Sequence, residues 1–302
     1  MLQQLYDIEI LSAPSILGLR PSGVEKLADT LLACGLADAL QVYHPVKAIQ
    51  TLNHLYSTRR DAVTQCLNSN ALRQFSVTLS REVKQTVQQK RFALVLGGDC
   101  SILIGVCAGL RSIHANHGLI FMDAHADFYA SSQSISGEAA DMDLAIVTGN
   151  GPVLLTDIHD QRPYIAIENV IHLGQRDWKE TQHYQSNDIR STSMHRFSYA
   201  TIKNNGVDTV TRQVLSIIKQ SKVKRWWIHF DTDVLHDTIN PAVDYRLKGG
   251  LSFRQTGKIL KHIMGTGKVD GMTVTIFNPT LDGSGKIARH IVTTISQAFV
   301  QR

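Results

Sequence analysis

Runs of continuous apolar residues recur along the chain, with helix-like stretches between them, and this alternation limits the folds open to it. The runs are "DIEILSA" (7–13), "RFALVLGGD" (91–99), "GLIFMDA" (118–124), "NVIHLGQRD" (169–177), "RWWIHFDTD" (225–233) and "GMTVTIFNP" (271–279). Continuous rather than alternating apolar character predicts strands buried on both faces, as in a parallel sheet covered by helices. Helical spacing is expected over 21–36, 78–91, 208–222 and 252–267, the first opening on Pro-Ser and the last ending at a glycine. Strand and helix alternate throughout, so the fold class is α/β. No repeat or long Pro/Gly/Ser linker interrupts the 302 residues, and one domain spanning 1–302 is expected.

The polar clusters fall just past the ends of these runs, where ligand sites in open α/β sheets lie. In "LIFMDAHADFY" (119–129) the strand delivers Asp123, His125 and Asp127 at alternate positions, which an extended segment aims to one side. "HFDTDVLHD" repeats the device with Asp231 and Asp233, and "GGDCS" (97–101) adds Cys100. A single D-x-D pair usually caps a helix or solvates a turn. Here, however, four carboxylates converging on one pocket would repel one another and resist ionisation. A divalent cation removes that difficulty, and oxygen-rich donors with an imidazole suit Mn²⁺, Mg²⁺ or Zn²⁺. Two cations sharing carboxylates would ionise a water into a nucleophile at neutral pH.

Composition excludes several other classes. With a net charge of only +5 and no dense Lys/Arg block, a nucleic-acid partner finds little support. No run approaches the ~20 apolar residues of a membrane span. The start "MLQQLYDIEILSAPS" lacks a basic segment ahead of its apolar run, so a cytoplasmic location is expected, with Cys34, Cys66, Cys100 and Cys107 as free thiols. "GTGKVDG" (265–271) lacks the spacing of a phosphate loop. Cys100 and His125 suggest a thiol hydrolase, but the flanking carboxylates favour metal. The adjacent tryptophans Trp226 and Trp227 would face opposite sides of a strand and serve packing.

These motifs together resemble the ureohydrolase superfamily of arginase, agmatinase and formimidoylglutamase. "GGDCS" resembles G-G-D-H-S, "MDAHADF" matches D-A-H-x-D, and "HFDTDVLHD" resembles S-x-D-x-D-x-x-D-P. "GGLSF" (249–253) is similar to G-G-L-[ST], and "IFNP" (276–279) stands where arginases have E-V-N-P. The resemblance implies a three-layer α/β/α fold around a mainly parallel sheet. It also implies a binuclear manganese centre and hydrolysis of guanidino or formimino C–N bonds by metal-bound hydroxide. A homo-oligomer acting on a small guanidino or amidino substrate is the corresponding expectation for partners.

Carried over by motif, Asp123 and Asp231 resemble the bridging ligands. His125 and Asp233 complete one manganese, and Asp127 serves the other. Cys100 replaces the histidine of that second site, as in the hydroxyarginine hydrolases of the superfamily. It is either a thiol that has lost the ligand role or a thiolate that would favour Zn²⁺ or Fe²⁺ over Mn²⁺. The family's proton-shuttle histidine falls at Ala140, in "SGEAADMDLA" (136–145). Its work would pass to a carboxylate, with Asp127, Asp141 and Glu138 as candidates and Asp143 nearby, unless those loop residues simply face solvent. Ile276 replaces the glutamate that holds the guanidinium, and Asp244 is the expected substitute, because a planar cation needs a carboxylate partner. Asp177 and Lys179, in "LGQRDWKE" (173–180), fall where arginase reads the amino-acid end of its substrate. Lys179 would prefer an anionic group. The alternative is a ureohydrolase-like binding protein without catalysis, motivated by the changes at Cys100, Ala140 and Ile276.

Overall fold

The computed structural model describes residues 6–50, 56–114 and 116–300. Among them eight parallel strands form one sheet: β1 (Ile8–Ala13), β2 (Lys47–Ala48), β3 (Phe92–Gly97), β4 (His117–Met122), β5 (Val170–Leu173), β6 (His195–Phe197), β7 (Arg225–Asp231) and β8 (Val269–Thr275). Their spatial order is β2-β1-β3-β8-β7-β4-β5-β6. The central strands β1, β3, β4, β5 and β8 are buried at every position, as their continuous apolar runs require. β2 and β6 are edge strands of two and three residues with exposed positions, too short and too polar to stand out in the sequence.

Two large apolar clusters lie on the two faces of the sheet. Ile120, Met122, Trp226, Ile228 and Phe230 pack against helices Leu27–Ala33, Val207–Gln220, Phe253–Met264 and Lys286–Phe299. Leu119, Phe121 and Trp227 pack against helices Ser69–Gln88, Ile102–Arg111 and Asp143–Val147. Helices on both faces of a parallel sheet make the expected three-layer α/β/α arrangement. Trp226 and Trp227 fall into opposite clusters, as strand alternation demands.

Two helices depart from their expected form. The helix expected over 78–91 runs instead from Ser69 to Gln88. Its buried side includes Ser69, Ser76, Ser80 and Thr86, which carry no apolar period. Small residues are needed there because helix Ile102–Arg111 crosses at backbone contact: a Cβ at Gly105 or Gly109 would lie 2.8 Å or 2.6 Å from the carbonyls of Ser76 and Ser80. The stretch expected as one helix over 21–36 is instead a 3₁₀ turn, Val24–Lys26, followed by helix Leu27–Ala33. Gly35, at φ +84°, ends it.

The carboxyl ends of the four middle strands, β3, β8, β7 and β4, lie side by side. The segments carrying Cys100, Ile276, Asp231 and Asp123 therefore leave the sheet next to one another.

Candidate metal centre and substrate cleft

Each side chain of the centre is set by the turn that follows its strand. After β3, Gly98 passes so close to the chain at Ser15 that a Cβ would lie 1.8 Å from the Ser15 carbonyl oxygen. That approach lets Asp99 accept from the Gly18 and Ser101 backbone N–H groups, at 3.2 and 2.8 Å, and fixes Cys100 between them. After β4, Asp123 accepts from the His125 backbone N–H at 2.6 Å. At the end of β7, Asp231 accepts from the Asp233 N–H at 2.7 Å. After β8 the backbone of Ile276 adopts φ +68°, and Asp127 sits at φ +45°. Left-handed conformations at non-glycine residues are strained, especially at a β-branched one, and such strain gathers at functional sites.

The expected ligands meet in one place. The His125 ring nitrogen Nδ1 lies 2.8 Å from Asp233 Oδ2 and 3.6 Å from Asp123 Oδ1. The Cys100 thiol donates to Asp231 Oδ2 at 2.8 Å and contacts Thr275 Oγ1 at 3.2 Å. Three donor groups able to hold a cation emerge among the described residues: Asp123, His125 and Asp233; Cys100, Asp127 and Asp143; and Cys100, Asp123, His229 and Asp231. His229 and Asp143 were not among the expected ligands. Period-2 alternation was the signal for His229, which precedes Asp231 by two residues and so shares its strand face. Asp143 opens a buried helix and is fully covered.

The electrostatics are those of a site short of positive charge. Burial, then the neighbouring Asp233, pushes the Asp123 carboxyl up to about 7. Burial and the surrounding carboxylates raise Asp127, Asp231 and Asp143 well above the usual range. Burial and Asp231 push the Cys100 thiol up. Burial acts against charge on Asp233 as well, but the His125 ring and then Arg176 hold it low. Arg176 donates to the Asp233 carbonyl at 2.7 Å and so fixes this turn. His125 is raised despite its burial, by the same Asp233 and by Asp123. Burial lowers His229 to about 3, which leaves its ring neutral. Asp123 Oδ2, Asp143 Oδ2 and both His229 ring nitrogens find no hydrogen-bond partner among the described residues. Thiol, imidazole and carboxylate are the donors that divalent transition metals take, and leaving such buried atoms unpaired is costly without one. The residues therefore fit a metal centre.

A cleft of about 610 Å³ opens over this cluster. Cys100, His125, Asp127, Asp231 and Asp233 form part of its wall, and Arg20, Tyr129, Glu138, Asp141, Asp177, Glu180, Tyr184, Asp244, Tyr245 and Ile276 form much of the remainder. Asp244 receives the Asn278 amide at 3.0 Å on Oδ1, while its Oδ2 is unpartnered. Glu138 is 1% exposed, accepting from the Arg20 N–H at 3.0 Å and the Tyr245 hydroxyl at 2.7 Å. The Asp141 carboxylate accepts from Ser134 and Ser136 at 2.9 and 2.7 Å, and burial pushes it up to about 7. The 136–145 loop thus turns Glu138 and Asp143 inward rather than to solvent. Asp177 is anchored by the Ala126 N–H at 2.9 Å and the Gln175 amide at 3.0 Å. Lys179 is not in the cleft wall: its ammonium lies over the Trp178 ring, and Glu180 lines the cleft at that point.

Comparison with known proteins places this geometry. The arginase family profile matches residues 10–300. The chain belongs to the arginase family. Among curated members, an arginase of Staphylococcus aureus (strain MSSA476) is 28% identical, covering 97% of this chain and 96% of its own length. The structure of the Bacillus caldovelox arginase superposes with a TM-score of 0.88 at 26% identity, over 99% of both chains. Formimidoylglutamase from Bacillus subtilis shares the fold at a TM-score of 0.74 and 17% identity, over 98% of this chain and 87% of its own. The arginase family hydrolyses amidino C–N bonds and depends on metal, so the arrangement of donors over an acidic cleft is that of a ureohydrolase. No described helix is long and apolar enough to cross a membrane.

Proposed function

We propose that the protein is a single-domain ureohydrolase, spanning 1–302, that cleaves a C–N bond of a small guanidino solute of the arginine or hydroxyarginine type. One observation carries the reading: buried carboxylates gather at the ends of β4 and β7, offset by His125 and Arg176 among the described residues, directly beneath a cleft. Divalent cations of the manganese class would be held by Asp123, His125, Asp127, Asp231 and Asp233, with Cys100 at one side. When bound, they supply Lewis acidity and a water acidic enough to serve as nucleophile near neutral pH.

The chain's own residues do the remaining work. Asp244 lines the same cleft as Ile276 and would replace the carboxylate that position lacks, pairing with the guanidinium. Asp177 and Glu180 make an acidic wall suited to an ammonium at the far end of the substrate. Water adds to the amidino carbon, the C–N bond breaks, and the departing nitrogen takes a proton. Asp141, with a carboxyl near 7 at the cleft wall, is matched to that transfer at neutral pH. Glu138, tied to Arg20 and Tyr245, holds the loop in place. Asp127 groups with Cys100 and Asp143, and serves the same proton traffic. The four unpaired cysteines support a reducing cytoplasmic setting, and a homo-oligomer is the assembly this reading carries.

The test is a cation-dependent product screen. Metal-reconstituted protein is offered arginine, hydroxyarginine, agmatine, guanidinobutyrate and formimidoylglutamate, and urea and ammonia are measured. Urea from a guanidino compound is expected. Turnover of the formimino compound alone would move the substrate class, and absence of turnover with every substrate and cation would leave a ligand-binding protein.

A further inference from the structure

We infer that His229 is a metal ligand, completing with Cys100, Asp123 and Asp231 a thiolate–imidazole–dicarboxylate site for a cation of the zinc class. The inference rests on reading the cluster as a metal centre, and adds to it a donor that the motif pattern does not supply.

Three observations point there. The donor atoms of the four residues lie within 4.8 Å of one another, and all four residues are buried. His229 is 0% exposed, and neither ring nitrogen has a hydrogen-bond partner among the described residues. Buried histidines ordinarily donate one ring N–H to a carboxylate or carbonyl, as His172 Nε2 does to the His125 carbonyl at 2.8 Å in the same core. His229 is also oriented: its ring stacks on Phe121 at 4.7 Å and 17°, its registered partner across β4 and β7. Phe121 and His229 each stand two residues before a carboxylate of the cluster, on the same strand faces as Asp123 and Asp231. The imidazole is therefore held beside the carboxylates, with its nitrogens unpaired among the described residues.

The chemistry of the set follows. Thiolate and imidazole are softer donors than the carboxylate and water shell that suits Mn²⁺, and one sulfur, one nitrogen and two oxygens match the four-coordinate preference of zinc. Binding requires the Cys100 proton, now shared with Asp231, to leave for solvent. The His125 and Asp233 side keeps the harder donors, so the two halves of the centre differ in metal preference.

The test uses the full chain, stripped of metal and titrated with Co²⁺ and Zn²⁺. Wild type should bind the first Co²⁺ with a thiolate-to-cobalt charge-transfer band and the intense visible bands of a four-coordinate ion. In His229→Phe, which keeps the stacked ring and removes both nitrogens, Co²⁺ affinity should fall by roughly 10- to 100-fold. The visible bands should weaken while the charge-transfer band persists; Cys100→Ser should remove the latter. X-ray absorption of zinc-loaded wild type should show sulfur at about 2.3 Å and imidazole nitrogen at about 2.0–2.1 Å, which needs no variant to fold. Isotherms and spectra unchanged by His229→Phe, or zinc without sulfur in its shell, would overturn the assignment alone. Failure of wild type to bind Co²⁺ or Zn²⁺ would overturn it together with the metal-centre reading.

Discussion

Strands β4, β7 and β8 carry a buried polar cluster at each end, and the two clusters are built on opposite principles. At the amino ends, Asp270 is enclosed by partners: the His117 ring nitrogen Nε2 lies 3.2 Å from Oδ2, and the Arg225 guanidinium donates Nε to Oδ1 at 2.6 Å. Burial would raise the Asp270 carboxyl, but those two partners hold it below its ordinary range. At the carboxyl ends Asp123, Asp127 and Asp231 are raised, and several donor atoms have no partner among the described residues. One cluster is complete within the chain. The other requires positive charge from outside, which is the physical signature of a binding site.

Asp231→Asn should break the comparison most sharply. It removes a like charge and keeps the shape, so the chelator-treated variant should unfold no more easily than its parent. Cation affinity should collapse, and turnover should fall by about three orders of magnitude, taking several kcal/mol of metal catalysis at about 1.36 kcal/mol per tenfold. Metal titration, initial rates and denaturation in chelator check the three parts. A variant that is fragile without metal yet still binds it would mean that the carboxyl-end cluster is structural, like the other.

The next effect belongs to the cleft. Asp244→Asn keeps the acceptor for the Asn278 amide and removes the charge from a residue that lines the cleft. Loss of one partner of a desolvated charge pair costs about 2–5 kcal/mol, so turnover of a guanidino substrate should drop by about two to three orders of magnitude. Metal content should not change. Undiminished turnover would return the guanidinium to another partner and place Asp244 among the purely structural carboxylates.

What the sequence made legible follows the same division. Continuous apolar runs announced the buried strands, because burial on both faces leaves no alternation to misread. The D-x-H-x-D and D-x-D spacings announced the cluster of carboxylates and imidazole, because strand period alone aims them together. His229 shares that spacing, but within its apolar run a histidine reads as filler until both nitrogens are seen to lack a partner among the described residues. Asp270 gave no signal, since its partners His117 and Arg225 come from strands far apart in sequence. Lys179 was misleading in another way. Its position suggested the cleft, but the short helix Trp178–His183 turns Glu180 inward and leaves Lys179 against Trp178.

Asp270→Asn probes the complete cluster. Breaking a buried ion pair costs about 3–5 kcal/mol, and partial exposure of Arg225 reduces the expected loss to about 2 kcal/mol. The loss should be the same in chelator and in metal, with kcat and KM unaltered, measured by denaturant unfolding and initial rates. Dependence on metal would show that the two ends are coupled through the strands.

The last effect is one of pH, and its sign differs between the clusters. Asp141 titrates at 3.8 when unfolded and at about 7 when folded, raised by burial. Between those values the folded protein holds a proton that the unfolded chain has released. Asp141 therefore contributes stability that is full below about 4 and lost as pH rises through about 7. Asp270 is lowered on folding, so its contribution is present above 3.8 and lost on acidification through its folded value. Subtracting each variant from its parent cancels the other titrating groups, including His172 and His229, which burial lowers and which pull the opposite way from Asp141. In chelator, the stability of Asp141→Asn relative to wild type should improve from pH 4 to pH 8, whereas the deficit of Asp270→Asn should shrink only on the acid side. Denaturation midpoints from about pH 2 to about pH 8 cover both windows. If the Asp141→Asn difference stays flat, its carboxyl is not held protonated by the cleft wall, and it cannot be the group that delivers a proton to the leaving nitrogen near neutral pH.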